Sequence, residues 1–390
     1  MAYFRNSVVN LLNLHYGIFA FVMNGAGAFF FVYLLQAGVP LPGVLVSVAA
    51  LLLVRFAIRP AVVPLVVHCG LRRVVMIGAG LIALQLPLLA AVNGVGPALY
   101  LLIAVSALGD TVYWTAYHAY FAALGDHEHR GHQVSVREAI AAIVGIISPI
   151  VTAWLLVTFS PLAAFGASSV MALAAAIPLH WTPDVTVARG VPGAMRASLP
   201  GFKFFFIDGW IASGLFFVWQ IALFVTLQRS FLGYGGTLAV AALVGAVSGL
   251  LIGRHIDAGG GVRAVALAAG ALALVVLMRS VAFGDARLAV IANAAAPVAM
   301  CLYVPTLLTA VYNLSKRSPC PLRFQVASEG GWDLGGASAS LIAAAMLWLG
   351  APMTAALLLP LIGIFVAYLQ LGRYYAQTNI IGIARHSKQN

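Results

Sequence analysis

Charge is what this chain has least of: Asp, Glu, Lys and Arg together make 8% of 390 residues, where a soluble domain carries about 25%. A surface that poor in charge excludes a water-soluble globular protein. Long runs of alternating polar and apolar residues are also missing, which excludes a membrane β-barrel. Cysteine is nearly absent. Cys69, Cys301 and Cys320 show no paired or metal-type spacing, so free packing cysteines are expected rather than disulfides or a metal site. No short apolar core with a small-residue cleavage site follows the N-terminus, so no removable signal peptide is expected. Neither H-E-x-x-H nor G-x-S-x-G occurs, and the His and carboxylate residues are scattered. That argues against a membrane enzyme and gives no cofactor to expect. Acidic residues number 10 against 21 basic ones, a net charge of +11. In a soluble protein that would suggest nucleic acid, but here it reads as loop charge set by membrane orientation, with no nucleic-acid partner.

What the chain does have is 63% hydrophobic residues in long continuous runs. In lipid, every backbone polar group needs an internal partner, and continuous apolar runs select helices. One span takes about 20 residues, so the chain holds about twelve spans and no soluble domain. The expected spans are 13–36, 44–66, 74–93, 97–123, 134–158, 161–181, 203–227, 234–253, 262–282, 287–312, 323–349 and 352–373. With both termini cytoplasmic, Arg229, Arg279 and Arg287 fall outside and Arg55 and Arg59 lie within the second span. All other Lys and Arg residues fall on cytoplasmic segments. This asymmetry sets the expected orientation, in a bacterial inner membrane.

The longest polar stretch, 182–202, carries Pro, Gly and charge and reads as a linker. It divides the chain into an N-terminal half, 1–182, a linker, 183–202, and a C-terminal half, 203–390. The halves look related. Phe21-Val22-Met23-Asn24-Gly25 matches Phe205-Phe206-Ile207-Asp208-Gly209. Gln133-Val134-Ser135-Val136-Arg137-Glu138 matches Gln325-Val326-Ala327-Ser328-Glu329. Both pairs point to one six-helix period.

In length, span count, linker and parallel repeat, the chain resembles the major facilitator superfamily. The stretch Gly70-Leu71-Arg72-Arg73 resembles the end of that family's G-x-x-x-D-R-x-G-R-R loop but lacks the Asp. The second-half loop, Gly249 to Asp257, keeps the glycines, an Arg and an Asp in another order. Gly145-Ile146-Ile147-Ser148-Pro149 only partly resembles the exporters' span-five motif. The resemblance implies an all-α membrane protein of twelve helices in two six-helix pseudo-repeats, with spans one and seven beside a central cavity.

Ionisable residues inside spans are destabilising by roughly 2.5–3.5 kcal/mol each, so they are candidate site residues. Arg55 and Arg59 share one face of span two and suit capture of an anionic group; the alternative is an ion pair with Asp110 of span four. Asp110, Trp114 and His118 form a stripe on span four with Tyr113 and Tyr117 beside it, suited to an amphipathic solute or to an interhelix contact. Glu329 and Asp333 share one face of span eleven and form a protonatable pair, unless they are salt-bridged. Asn24 and Asp208 occupy matching repeat positions, and the resemblance implies that both touch or gate substrate; the alternative for Asp208 is a solvated role near the helix end. Trp219 and Gln220 make an aromatic wall or plain packing. Arg137 is a gate partner beside Glu138. His127, His129 and His132 match no specific metal site, and no metal is expected. Gly245, Gly249 and Gly253 suit close helix approach.

The substrate-binding set is therefore Asn24, Arg55, Arg59, Tyr113, Trp114, Tyr117 and Trp219. The proton-coupling or gating set is Asp110, Arg137, Asp208, Glu329 and Asp333. The function expected is secondary transport of a small organic solute, an anionic one among the candidates, with a proton or other coupling ion, by a monomer surrounded by membrane lipid. A multidrug or metabolite exporter and a lipid flippase are the alternatives.

Overall fold

The structure, a computed structural model, describes residues 6–124, 130–252 and 261–386. Its regular elements among these residues are all helical. Among the described residues eleven helices are long and apolar enough to cross a membrane: α1 (Ser7–Gln36), α2 (Leu41–Cys69), α3 (Leu71–Ala90), α4 (Pro97–Phe121), α5 (Ala139–Thr158), α6 (Pro161–Trp181), α7 (Leu199–Thr226), α8 (Phe231–Leu251), α9 (Gly261–Ala282), α10 (Ala286–Lys316) and, last of them, Met353–Gln377. Between the last two lies α11 (Pro321–Trp348), 28 residues long, which makes Met353–Gln377 α12. Helix α11 has the length of a span but is not among the eleven; its first half carries Arg323, Glu329 and Asp333 and it is rich in Gly and Ser. Twelve helices thus stand where twelve spans were expected.

Three helices are irregular. Helix α1 contains a π turn at Met23–Gly27 and α7 one at Ser213–Val218. In α2, Pro60 lacks the N–H needed to continue the helix, and the chain tightens into a 3-10 turn at Arg59–Ala61.

The six-helix repeat is visible in the packing. Helix α1 packs on α5 and α6, and α3 on α4 and α6; likewise α7 packs on α11 and α12, and α9 on α10 and α12. The register is also measurable. The π turns begin 190 residues apart, at Met23 and Ser213. Helices α2 and α8 also start 190 apart, at Leu41 and Phe231, and α1 and α7 start 192 apart, at Ser7 and Leu199. The match of Gln133 with Gln325, 192 apart, fits this register. The match of Asn24 with Asp208, 184 apart, does not. Asp208 lies about a turn and a half earlier than the counterpart of Asn24, which is close to Gly214. Low-complexity apolar sequence offered a local match in the wrong register.

The chain divides into two compact units, Met1–Pro192 with Gln220–Leu243, and Gly193–Trp219 with Val244–Asn390. The core of the first is built on Phe19, Tyr113, Tyr117 and Tyr120 with aliphatic residues of α2, α3 and α6. The core of the second joins Ile207, Ile211 and Leu215 to Val275, Tyr303, Phe324 and Ile364. Its closest helix contact is α7 on α11. A Cβ at Gly209 would strike the carbonyl of Trp332, and Cβ atoms at Gly331 and Gly335 would strike those of Phe202 and Phe206. Without side chains at these points the two backbones approach directly, which is how lipid-embedded helices gain dispersion contact.

That contact makes a prediction. Gly335→Ala forces α7 and α11 apart, an overpacking loss of about 1–3 kcal/mol, and lowers the melting temperature of the purified chain. Gly270→Ala, on α9 with open space around it, leaves the melting temperature within a degree or so. Equal melting temperatures for the two variants would contradict the direct backbone approach.

Candidate functional site

In the first unit, two arginines of α2 face α4. Arg55 Nη1 lies 3.5 Å from Asp110 Oδ2, with the two side chains 14% and 17% exposed. Arg59 is buried and its Nη1 donates to Thr115 Oγ1 at 3.2 Å. The ion-pair alternative for Arg55 is therefore the arrangement found. An anionic solute reaching Arg55 has to compete with Asp110.

Beside this seam, α4 turns its aromatic residues toward α1. Tyr113 and Tyr117 have no exposed surface. The ring of Phe19 stacks on Tyr113 at 3.9 Å, and Tyr113 stacks on Tyr117 at 5.6 Å. His15 Nδ1 lies 2.6 Å from the Ala175 carbonyl and Nε2 lies 2.8 Å from the Tyr113 hydroxyl. A carbonyl only accepts, so Nδ1 carries the proton; in the neutral ring, Nε2 then accepts from Tyr113. His15 thus ties α1, α4 and α6 together. It went unnoticed in the sequence because a lone His among apolar residues gives no spacing signal. Tyr113 and Tyr117 are interior side chains. Trp114, which is partly exposed, stacks on the exposed His118 at 5.6 Å. Arg137 lies over the rings of Tyr16 and Phe121, at 5.2 and 4.9 Å, so a cation–π contact holds the α5 end to α1 and α4.

Asn24 lies in the π turn of α1. Its Nδ2 donates to the Ala20 carbonyl at 3.0 Å. The same carbonyl also takes the Met23 amide, so the Asn24 side chain folds back on the helix turn before it.

In the second unit, Asp208 of α7 accepts hydrogen bonds from the side chains of Tyr303 on α10 and Trp332 on α11. One turn apart on α11, Asp333 is fully buried, and Glu329 is half-buried with its Oε1 taking a hydrogen bond from Gln325 Nε2 at 3.3 Å. Ser213 and Ser340 bond across α7 and α11 at 2.8 Å. Asp208 and its two aromatic donors thus link α7, α10 and α11, and Glu329 and Asp333 lie on the same α11 helix. Trp219 is also buried. Its Nε1 donates to Asn293 Oδ1 at 2.9 Å, and Arg279 lies 4.7 Å above its ring. Trp219 is an interior side chain in this structure.

The loop between α2 and α3 supplies what its sequence lacks. Gly70 takes φ +82, and Asp184, from the segment after α6, reaches it. Asp184 Oδ1 accepts from the Arg72 amide at 3.1 Å, and Oδ2 lies 3.9 Å from Arg73 Nε. A carboxylate at the start of α3 suits the helix dipole. His127, His129 and the side chains of His132 and Glu138 lie outside the described residues, as do Gly253 to Asp257. Among the described residues no three His, Cys, Asp or Glu side chains group to hold a metal.

A family model described as Major Facilitator Superfamily matches residues 12–319. The chain belongs to the Major Facilitator Superfamily. It is a membrane transporter by family, and not an enzyme. No curated protein sequence matches it. Solved structures share the fold at low identity. The human organic anion transporter MFSD10 (TETRAN) is 15% identical with a TM-score of 0.68, over 93% of this chain and 98% of that one. An auto-inhibited POT family peptide transporter is 11% identical with a TM-score of 0.69, over 95% and 97%. The nucleoside transporter NupG is 14% identical with a TM-score of 0.60, over 95% and 97%.

For this superfamily member the Arg55–Asp110 pair is the measurable feature of the first unit. Removing one partner strands the other charge, so Arg55→Ala alone destabilises more than Arg55→Ala combined with Asp110→Ala. A double-mutant cycle on thermal unfolding in detergent is expected to give a coupling of about 1–3 kcal/mol. Strict additivity would show that the pair contributes nothing.

Proposed function

We propose that this transporter is proton-coupled and moves a small organic solute with an anionic group by alternating access. The observation that carries the coupling is the setting of Asp208. A carboxylate inside a spanning helix is expensive and persists mainly where it does something. Here it meets the neutral donors Tyr303 and Trp332. Such donors stabilise the carboxylate, and a protonated Asp208 can still donate in its turn. Both states are therefore supported, as a group that loads and releases a proton requires. Glu329 and Asp333 on α11 extend the set.

The anionic character of the solute is supported by Arg55 and Arg59, whose guanidinium forks fit carboxylate or phosphate. Asp110 occupies Arg55 in this structure, so solute binding would exchange one carboxylate for another. That exchange is a differential interaction of the kind that shifts a conformational equilibrium. The organic anion, peptide and nucleoside transporters of similar fold are consistent with a small organic solute without selecting one. On this reading the protein works as a monomer in a bacterial inner membrane, with both termini cytoplasmic.

The test is uptake in proteoliposomes under an imposed pH gradient, over a panel of labelled organic anions. The wild type is expected to accumulate at least one. Asp208→Asn is expected to lose proton-driven accumulation while keeping solute exchange without a gradient. Glu329→Gln and Asp333→Asn are expected to weaken the accumulation. If all three variants accumulate solute as the wild type does, proton coupling through this cluster is wrong. Scrambling of labelled lipid without solute uptake would favour the flippase alternative.

A further inference from the structure

Arg279 stands one turn before the end of α9, where the charge pattern reads as an ordinary flanking cation. A flanking arginine so close to a helix end has the length to snorkel into water. This one turns inward and is 4% exposed. Its contacts are neutral. Nη1 donates to the Leu215 carbonyl at 2.8 Å, and the guanidinium lies 4.7 Å from the centre of the Trp219 ring. Its buried Nε meets no hydrogen-bond partner.

The described carboxylates of the same unit lie elsewhere. Asp208 is held by Tyr303 and Trp332, and Glu329 by Gln325. Asp285 Oδ1 caps the start of α10, accepting from the amides of Arg287 and Leu288 at 2.9 and 3.1 Å. Asp333 is buried on α11. Among the described residues none of them forms an ion pair with Arg279. Arg55 has Asp110; among the described residues Arg279 has no counter-charge. A buried guanidinium without one is strongly destabilising unless an anion arrives to complete it.

We propose that Arg279 is an anion-recognition point, taking the carboxylate, sulfonate or phosphate group of the transported solute in exchange for the Leu215 carbonyl. The proposal rests on the transport reading above and names a residue for its substrate class. Leu215 lies within the π turn of α7. An anion that draws the guanidinium away removes the donor from that turn, so binding and the local shape of α7 are linked. Trp219 keeps its place through Asn293, and the aromatic face remains beside the site for an organic body.

The test uses the purified full chain. Melting temperature is measured against graded benzoate, benzenesulfonate and inorganic phosphate, with sodium chloride at matched ionic strength and benzamide as the neutral counterpart. At least one of the three anions is expected to stabilise the wild type beyond matched salt, and benzamide to do nothing. Arg279→Gln, whose amide can still donate to Leu215, is expected to lose the response. Arg279→Lys, with a charge but no fork, is expected to weaken apparent affinity roughly tenfold. If Arg279→Gln does not fold, the Lys variant alone decides. No stabilisation of the wild type by any of the three anions overturns the proposal, and so does an undiminished response in either folded variant. Failure of the transport reading is separate, since it would show as absent proton-driven uptake by the wild type whatever the binding result.

Discussion

Lipid offers no hydrogen bonds, and that single constraint explains which polar groups this chain keeps and where each one ends up. With so few charges, each intramembrane one has to be met by something the fold provides. Arg55 is met by Asp110, Arg59 by Thr115, Arg137 by two aromatic rings, and Asp208 by a tyrosine and a tryptophan. None of these partners is a neighbour in sequence. Each is delivered by the packing of another helix, so the polar groups hold the helix order as firmly as the glycine contacts do.

The helices were legible because hydropathy and charge asymmetry are properties of segments, averaged over about 20 residues. Helix ends shifted by a few residues and the architecture survived. Facing direction is different, because it depends on rotation of each helix against its neighbours. The sequence placed Tyr113 and Tyr117 on a stripe with Trp114 and did not tell which side of it was interior. The structure buries the tyrosines against α1 and leaves Trp114 partly open. Asp110 was foreseen as the partner of Arg55 because opposite charges in adjacent apolar spans have few other choices. Arg279 was missed for the complementary reason: near a span end, an outward and an inward arginine look the same. Asp184 was missed because it restores the loop's absent acid from over a hundred residues away.

The repeat gives a second case of the same limit. Matching short strings aligned one pair of helices correctly and another by six residues too few. Helix starts and π turns fix the register because they are set by backbone geometry, which both halves share. Side-chain strings drift faster. The consequence is functional: Asn24 and Asp208 are not one site seen twice, and their roles are free to differ.

The two π turns show how they differ. Both widen a helix at the same repeat position, and at each a side-chain donor meets a main-chain carbonyl. In α1 the donor is local: Asn24, inside the turn, bonds to the carbonyl of Ala20. In α7 the donor is borrowed: Arg279 of α9 reaches the carbonyl of Leu215. A local donor moves with its helix and keeps the turn whatever the neighbours do. A borrowed donor keeps the turn only while two helices stay in place and nothing else claims the cation. The α7 turn is therefore the conditional one, stable in one arrangement and relieved in another. A charged donor also serves where a neutral one would have sufficed for the carbonyl alone. The surplus charge is the part of Arg279 that backbone satisfaction does not explain, and it is the part an anion would use.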